Sequence, residues 1–161
     1  MNKLPFLAVC CGNGDRGDDA AGPLVAERLR WLGIPVRQNT GDTLALLSDF
    51  DDAEHVVLVD AVVTGAAAGT IVRWDARHER IPAGSFTCST HTIGIAEAVE
   101  LARVLDQLPE ECTVYGIEAD HFDAGSTPSR EVYDAVDETA RRIWAEGCIL
   151  VSKCASQSRA E

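Results

Sequence analysis

Apolar residues fall along this chain in two rhythms. Short unbroken runs alternate with longer stretches in which they recur every three or four positions. The run at 4–11, LPFLAVCC, is apolar throughout. A strand buried on both faces of a sheet reads this way. A tight polar loop follows, Gly12-Asn13-Gly14-Asp15-Arg16-Gly17. Positions 18–32 predict a helix, with Leu24, Val25, Leu29 and Leu32 on one stripe beside the stem of Arg28. Asp18 or Asp19 can cap it, Pro23 falls in its first turn and Gly33 follows its end. A short strand at 34–38, a turn at 39–42 and a short helix at 43–49 come next.

The clearest strand is 55–60, HVVLVD, which ends on a carboxylate, Asp60. A loop of small residues spans 61–69. The segment 70–74, TIVRW, alternates in polarity and so belongs nearer a sheet edge. After a polar connection at 75–87, a helix is expected over 92–107. Its inward positions are Ile93, Ala96, Val99, Ala102 and one of Val104 and Leu105. A last strand at 112–117 leads through a loop at 118–127 to a helix at 128–146. That helix would bury Val132, Val136, Ala140 and Ile143 and close at Gly147. The order β-α-β-α-β-β-α-β-α predicts an α/β protein. The architecture is a three-layer α/β/α sandwich on a mostly parallel central sheet of about five strands, with one antiparallel hairpin strand allowed. One domain would cover 1–147, and 148–161 would form a tail with a mobile polar end.

Charge changes the picture first. The formal net charge of −12 argues against nucleic acid or an anionic membrane as partner, because both need clustered Lys and Arg. No apolar run reaches the roughly 18 residues of a membrane span, and the N-terminus turns polar too soon for a signal peptide. The six cysteines, Cys10, Cys11, Cys88, Cys112, Cys148 and Cys154, show no zinc spacing. They read as reduced thiols buried as small hydrophobes, which suits a cytoplasmic protein.

Ligands of open α/β sheets gather beyond the carboxyl ends of the strands. The polar residues there are Asn13, Asp15, Asp18 and Asp19 after the first strand, Asp60 after the third, and Glu118, Asp120 and His121 after the last. His91 stands before the third long helix, whereas His55 and His78 read as surface residues. Asp60 is the sharpest of these, since a carboxylate in an apolar run is costly unless it is hydrogen-bonded, paired or bound to a cation. One of Asp18 and Asp19 has a structural reason to stand at a helix start, where acids are worth about 0.3–1 kcal/mol each. Adjacent residues cannot both be the N-cap. The glycine-rich loop lacks the GxGxxG spacing, and two acids at a helix start repel phosphate. Two carboxylates and an imidazole would suit nickel, zinc, manganese or iron with positions left open. Cys10 and Cys11, both in an apolar strand, are poor nucleophile candidates.

The segments GNGDRGDDAAG at 12–22, VVLVDAVVTG at 56–65, STHTIGIAEAV at 89–99 and YGIE at 115–118 resemble the hydrogenase maturation endopeptidases. The resemblance covers most of the chain to about Gly147. It implies an α/β/α sandwich and an endopeptidase that trims the C-terminus of a nickel–iron hydrogenase large-subunit precursor. By motif position it implies Asp19, Asp60 and His91 as the metal-binding and catalytic set, with Asp18 the neighbouring acid. It also implies that nickel already inserted in the precursor is the metal engaged, so that no resident cofactor is expected. The chain departs from the family where Asp15 or Arg16 replaces a bulky apolar residue, and where Thr40-Gly41-Asp42-Thr43 stands in a segment associated with substrate choice. The partner would be the precursor, and the protease itself is expected to be a monomer. The alternatives are a non-catalytic chaperone that checks nickel insertion, a small-molecule metallohydrolase, and a nucleotide-binding α/β protein.

Overall fold

The computed structural model describes residues 2–86 and 93–157. Strand β1 (Leu4–Cys11) feeds a single 3-10 turn at Gly17–Ala20 and then α1 (Ala21–Trp31). Next come β2 (Val36–Asn39), α2 (Thr43–Asp52), β3 (Ala53–Val62) and β4 (Ile71–Asp75). The chain continues with α3 (Ile95–Val104), β5 (Glu111–Glu118) and α4 (Arg130–Gln157). One five-stranded sheet has the order β2-β1-β3-β5-β4. Only β4 runs antiparallel, at an edge, where its alternating polarity placed it. The expected α/β sandwich on a mostly parallel sheet is the observed one.

Residue parity along the strands sorts the core into two layers. Phe6, Ala8 and Cys10 of β1, with Val57, Val59 and Ala61 of β3, pack under α1 and α4. Leu7, Val9 and Cys11, with Val56 and Leu58, pack under α2 and α3. Both sets are almost fully buried, which explains why these strands are apolar at every position. Cys10 pairs with Val59, so Asp60 stands one step on, beside Cys11. The connections from β1 and β3 leave toward opposite sides of the sheet. The crevice between their carboxyl ends is where a doubly wound fold places a ligand.

Several expectations change. The carboxylates do not cap α1; its N-cap is Ala20, without a side-chain bond, because the acids belong to the preceding 3-10 turn. Ile93 and Leu105 are exposed, since α3 is shorter at both ends than the pattern suggested, and Val104, its last residue, is exposed as well. Thr92 and the mobile end expected for the tail at 158–161 lie outside the described residues, as does Cys88. Gly147 does not end α4. A Cβ there would stand 3.1 Å from Ile34 Cδ1 and 3.5 Å from the Phe6 ring, so the glycine serves close packing rather than termination. Cys10, Cys11 and Cys112 are buried as expected, but Cys148 is exposed on the continued helix. No helix among the described residues is long and apolar enough to cross a membrane.

His55 is buried, not on the surface. It meets the Phe6 ring edge-on, with centroids 5.0 Å apart, and its Nε2 lies 3.3 Å from Thr113 Oγ1. Arg73 donates to the same Thr113 oxygen at 3.4 Å and to Glu146 of α4 at 3.0 Å. Tyr115 also donates to Glu146, at 2.5 Å. The polar cluster ties the long helix to the antiparallel edge. Burial lowers the His55 pKa from its usual 6.5, and the Glu111 carboxylate only partly opposes this. The unfolded chain therefore takes up a proton that the folded chain resists. Stability falls as pH drops through 6.5 toward the lower folded value. Urea unfolding should show the wild-type midpoint decreasing between about pH 7 and 5, and the His55→Gln midpoint decreasing less. Parallel pH slopes for the two proteins would contradict a neutral buried imidazole.

Candidate active site

The loop after β1 is held from within and from across the molecule. Gly12 has φ +128°, and a Cβ there would come within 2.3 Å of the Asp19 carbonyl, so the loop folds tightly back on itself. Asn13 Oδ1 accepts from Asp15 N–H at 2.9 Å, and Arg16 N–H donates to the Asn13 carbonyl at 3.3 Å. Gly22, in the first turn of α1, leaves no room for a Cβ against the Cys11 carbonyl. The helix start is thereby pressed onto the end of β1.

The two neighbouring acids part here. Asp18 is fully buried. Its Oδ2 accepts from the Asp120 and His121 N–H groups at 2.9 and 3.3 Å, and its Oδ1 from Ser129 N–H at 2.7 Å. Burial would raise its pKa, but these N–H bonds outweigh it and the pKa is lowered. The expectation that Asp18 ties down the start of its own helix is thus amended. It ties down the β5–α4 loop and the beginning of α4 instead, where a negative charge also meets the positive helix end. Gly17 N–H donates to Ser126 O and Asp18 N–H to His121 O, completing the seam between the two loops. His121 Nε2 lies 3.0 Å from the Thr127 carbonyl and its Nδ1 3.5 Å from Asp18, so the structure gives it to this seam.

Asp19 accepts from Asn13 N–H at 3.1 Å and lines a cleft of about 710 Å³ at the carboxyl ends of β1 and β3. Asp60 lines the same cleft from β3. It is 6% exposed and accepts one hydrogen bond, 2.8 Å from Ala61 N–H. Burial raises its pKa well above the carboxylate range, and the negative charge of Asp19 raises it further. Among the described residues, none of the groups that shift it is a cation. Cys11 forms part of the wall, and its thiol is pushed well up, by burial first and then by the Asp60 charge, so it is no nucleophile. His91 lies outside the described residues; Ile93, Gly94 and Ile95, which follow it in sequence, line the cleft. Among the described residues no group of three or more His, Cys, Asp and Glu side chains is placed to hold a metal ion.

The remaining candidates have structural work. Glu118 is buried and accepts from Thr64 N–H and Oγ1–H, both at 2.8 Å, and from Gly65 N–H at 3.0 Å, pinning the β3–β4 loop. Asp120 contributes its backbone N–H to the seam, and the exposed His78 pairs with Asp75 at 2.9 Å. Sequence reasoning missed Arg16, Asn39 and Phe122 as cleft residues. Asn39 closes the turn after β2, accepting from Gly41 and Asp42 N–H at 2.7 and 2.8 Å. Asp42 then caps α2 through Ala45 N–H at 3.0 Å. The position of this turn, at the carboxyl end of the strand beside β1, was the signal available for it. Phe122 offered only an aromatic ring in a polar loop.

The two buried acids should respond oppositely to neutralisation. Asp18→Ala strands N–H groups on another loop and should cost about 3 kcal/mol at pH 7, about 1 for each. Asp60→Asn removes a carboxylate whose folded pKa is raised. Wild-type stability declines as pH rises from the unfolded value of 3.8 toward the folded one, whereas the variant lacks that decline. The metal-free variant should therefore melt a few degrees above wild type at neutral pH, by roughly 2–4 °C per kcal/mol, with the gap closing in acid. Thermal melts of the two variants that move in the same direction would contradict the division of roles.

A comparison with curated protein sequences finds no significant match. Solved structures are informative. The hydrogenase maturating endopeptidase HybD from E. coli superimposes with a TM-score of 0.73 at 21% identity, covering 88% of this chain and 90% of its own. A [NiFe] hydrogenase maturation protease HycI from Thermococcus kodakarensis KOD1 gives 0.66 at 22% identity, over 90% of this chain and 93% of its own. The endopeptidase HycI from Escherichia coli gives 0.64 at 25% identity, over 87% and 89%. The profile of the family described as hydrogenase maturation protease, HycI, matches residues 41–146, a span that holds Asp60 and the turn at the far wall of the cleft. With that match over most of its length, and with the fold shared across whole chains, the chain belongs to the hydrogenase maturation protease family, a family of peptidases.

Proposed function

We propose that this protein is an endopeptidase that removes the C-terminal extension of a nickel–iron hydrogenase large-subunit precursor after nickel insertion. The observation that carries the reading is Asp60. It is a buried carboxylate at a strand end, in the same cleft as Asp19, with its pKa raised by burial and by that second acid. A divalent cation arriving with the substrate would relieve both causes at once. Nickel would arrive as part of the substrate rather than as a resident group. Asp19 and Asp60 would offer it oxygen donors and His91 a nitrogen donor, a set that suits nickel.

The division of work among the chain's residues follows from this. Asp19, Asp60 and His91 engage the metal and so fix where the precursor sits. The scissile peptide bond is then held in the cleft by its distance from the metal, and orientation supplies a large part of the rate. The metal can also polarise a carbonyl or a water as a Lewis acid. Asp18 keeps the β5–α4 loop, with Phe122, against the cleft. The cleft walls limit water to what the cleft admits.

Precursor carrying nickel should be shortened, and nickel-free precursor should not, as read by intact mass. Equal cleavage of both would defeat the substrate-metal reading. Asp19→Ala, Asp60→Ala and His91→Ala should each reduce processing by at least about a hundredfold while remaining folded, since loss of an outer-shell partner alone costs about 10–100-fold. If all three variants process normally, the site is elsewhere. Tight binding of the metallated precursor by the wild type with no mass change would instead identify a chaperone that checks nickel loading.

A further inference from the structure

Four charged residues among those described line the cleft: Asp19, Asp42, Asp60 and Arg16. Three are carboxylates, and each already accepts a backbone N–H, from Asn13, Ala45 and Ala61 respectively. Arg16 is the one cation of the set. Its guanidinium makes no hydrogen bond or ion pair among the described residues, and the residue is exposed. In a chain with a net charge of −12, Arg16 stands out as the cation, among the described residues, on the wall of an otherwise acidic cleft. Several arginines away from the cleft pair with acids: Arg28 with Asp137, Arg37 with Asp49 and Asp52, Arg73 with Glu146, Arg103 with Glu100.

The base of this side chain is fixed. Arg16 N–H donates to Asn13 O, its carbonyl accepts from Asp19 N–H, and the next residue, Gly17, is clamped by Ser126 O. At Gly17 φ is +54°, and a Cβ would stand 2.7 Å from Ser126 Oγ, so the loop has no alternative course there. A planar, permanently charged fork carried on a fixed backbone is suited to a carboxylate, which it can hold by two parallel N–H bonds. The two metal-facing acids would repel such a group, so it must enter on the Arg16 side.

We propose that Arg16 is a specificity-determining residue that receives a carboxylate of the substrate's C-terminal extension at the mouth of the cleft. The inference rests on the reading of the cleft as a precursor-processing site. It deepens that reading by stating the direction in which the peptide lies, with the metal-bound body toward Asp60 and an anionic end toward Arg16. The carboxylate has two possible sources, an acidic side chain of the extension or its terminal α-carboxylate.

Steady-state cleavage and equilibrium binding of the nickel-loaded precursor test this together. Arg16→Ala should raise KM and Kd about tenfold and leave kcat within about twofold, because the contact anchors the peptide without touching the reacting atoms. Arg16→Lys should recover part of the loss, and added salt should weaken wild type more than Arg16→Ala. Two altered precursors separate the sources. In one, the extension's acidic side chains become amides; in the other, two glycines appended to the terminus move the α-carboxylate away. One of these should bind wild type about tenfold more weakly and bind Arg16→Ala no worse than the unaltered precursor does. Unchanged KM and Kd for Arg16→Ala, or losses that multiply independently for both precursors, would overturn the proposal. If wild type binds without cleaving, the processing reading fails, yet the binding series still decides the role of Arg16.

Discussion

A carboxylate held out of water, with no cationic partner among the described residues, governs the architecture of this protein. Asp60 ends a strand that is buried on both faces, and its local environment favours the protonated form. Folding gains nothing from an ionised group in that position. Every element around it nonetheless converges to keep it there. β1 and β3 set it beside Cys11, the loop after β1 brings Asp19 to the same space, and the turn after β2 closes the far wall. Such a site favours any species that brings positive charge to it. That is why the proposed chemistry is assigned to the cleft rather than to the sheet as a whole.

The adjacent acids show how one short motif serves structure and chemistry together. Asp18 is drawn inward and satisfied by three N–H groups from a distant loop. That arrangement leaves Asp19 on the other side of the 3-10 turn, facing the cleft. A regular helix begun two residues earlier would turn the two side chains differently. The tight loop from Gly12 to Gly17 is what delays the helix. Backbone shape in the glycine-rich stretch therefore decides which acid does which task.

Much of the fold was legible because parallel strands and amphipathic helices leave separate signatures. The five strands, the four helices and the edge position of β4 follow from apolar runs and their periods. Asp60 stood out because a charge in such a run is expensive. What could not be read was non-local. The partners of Asp18 lie more than a hundred residues away, and the buried His55 meets a ring on β1 and a threonine on β5. Gly147 has the local look of a helix stop, but the side chains of Phe6 and Ile34 decide its role. Arg16 looked like one more loop charge. Only its place on the wall of an otherwise acidic cleft set it apart.

The central claim, that burial and the Asp19 charge disfavour an ionised Asp60, can be measured at a single atom. Carbon-13 NMR of the side-chain carboxyls, followed by pH titration of the metal-free protein, reads the Asp60 ionisation directly. The account predicts a midpoint well above the usual 3.8, with burial and the Asp19 charge as its causes. Replacing Asp19 by Asn should bring the midpoint down. An Asp60 that titrates at its ordinary value in the folded protein, unmoved by Asp19→Asn, would contradict it.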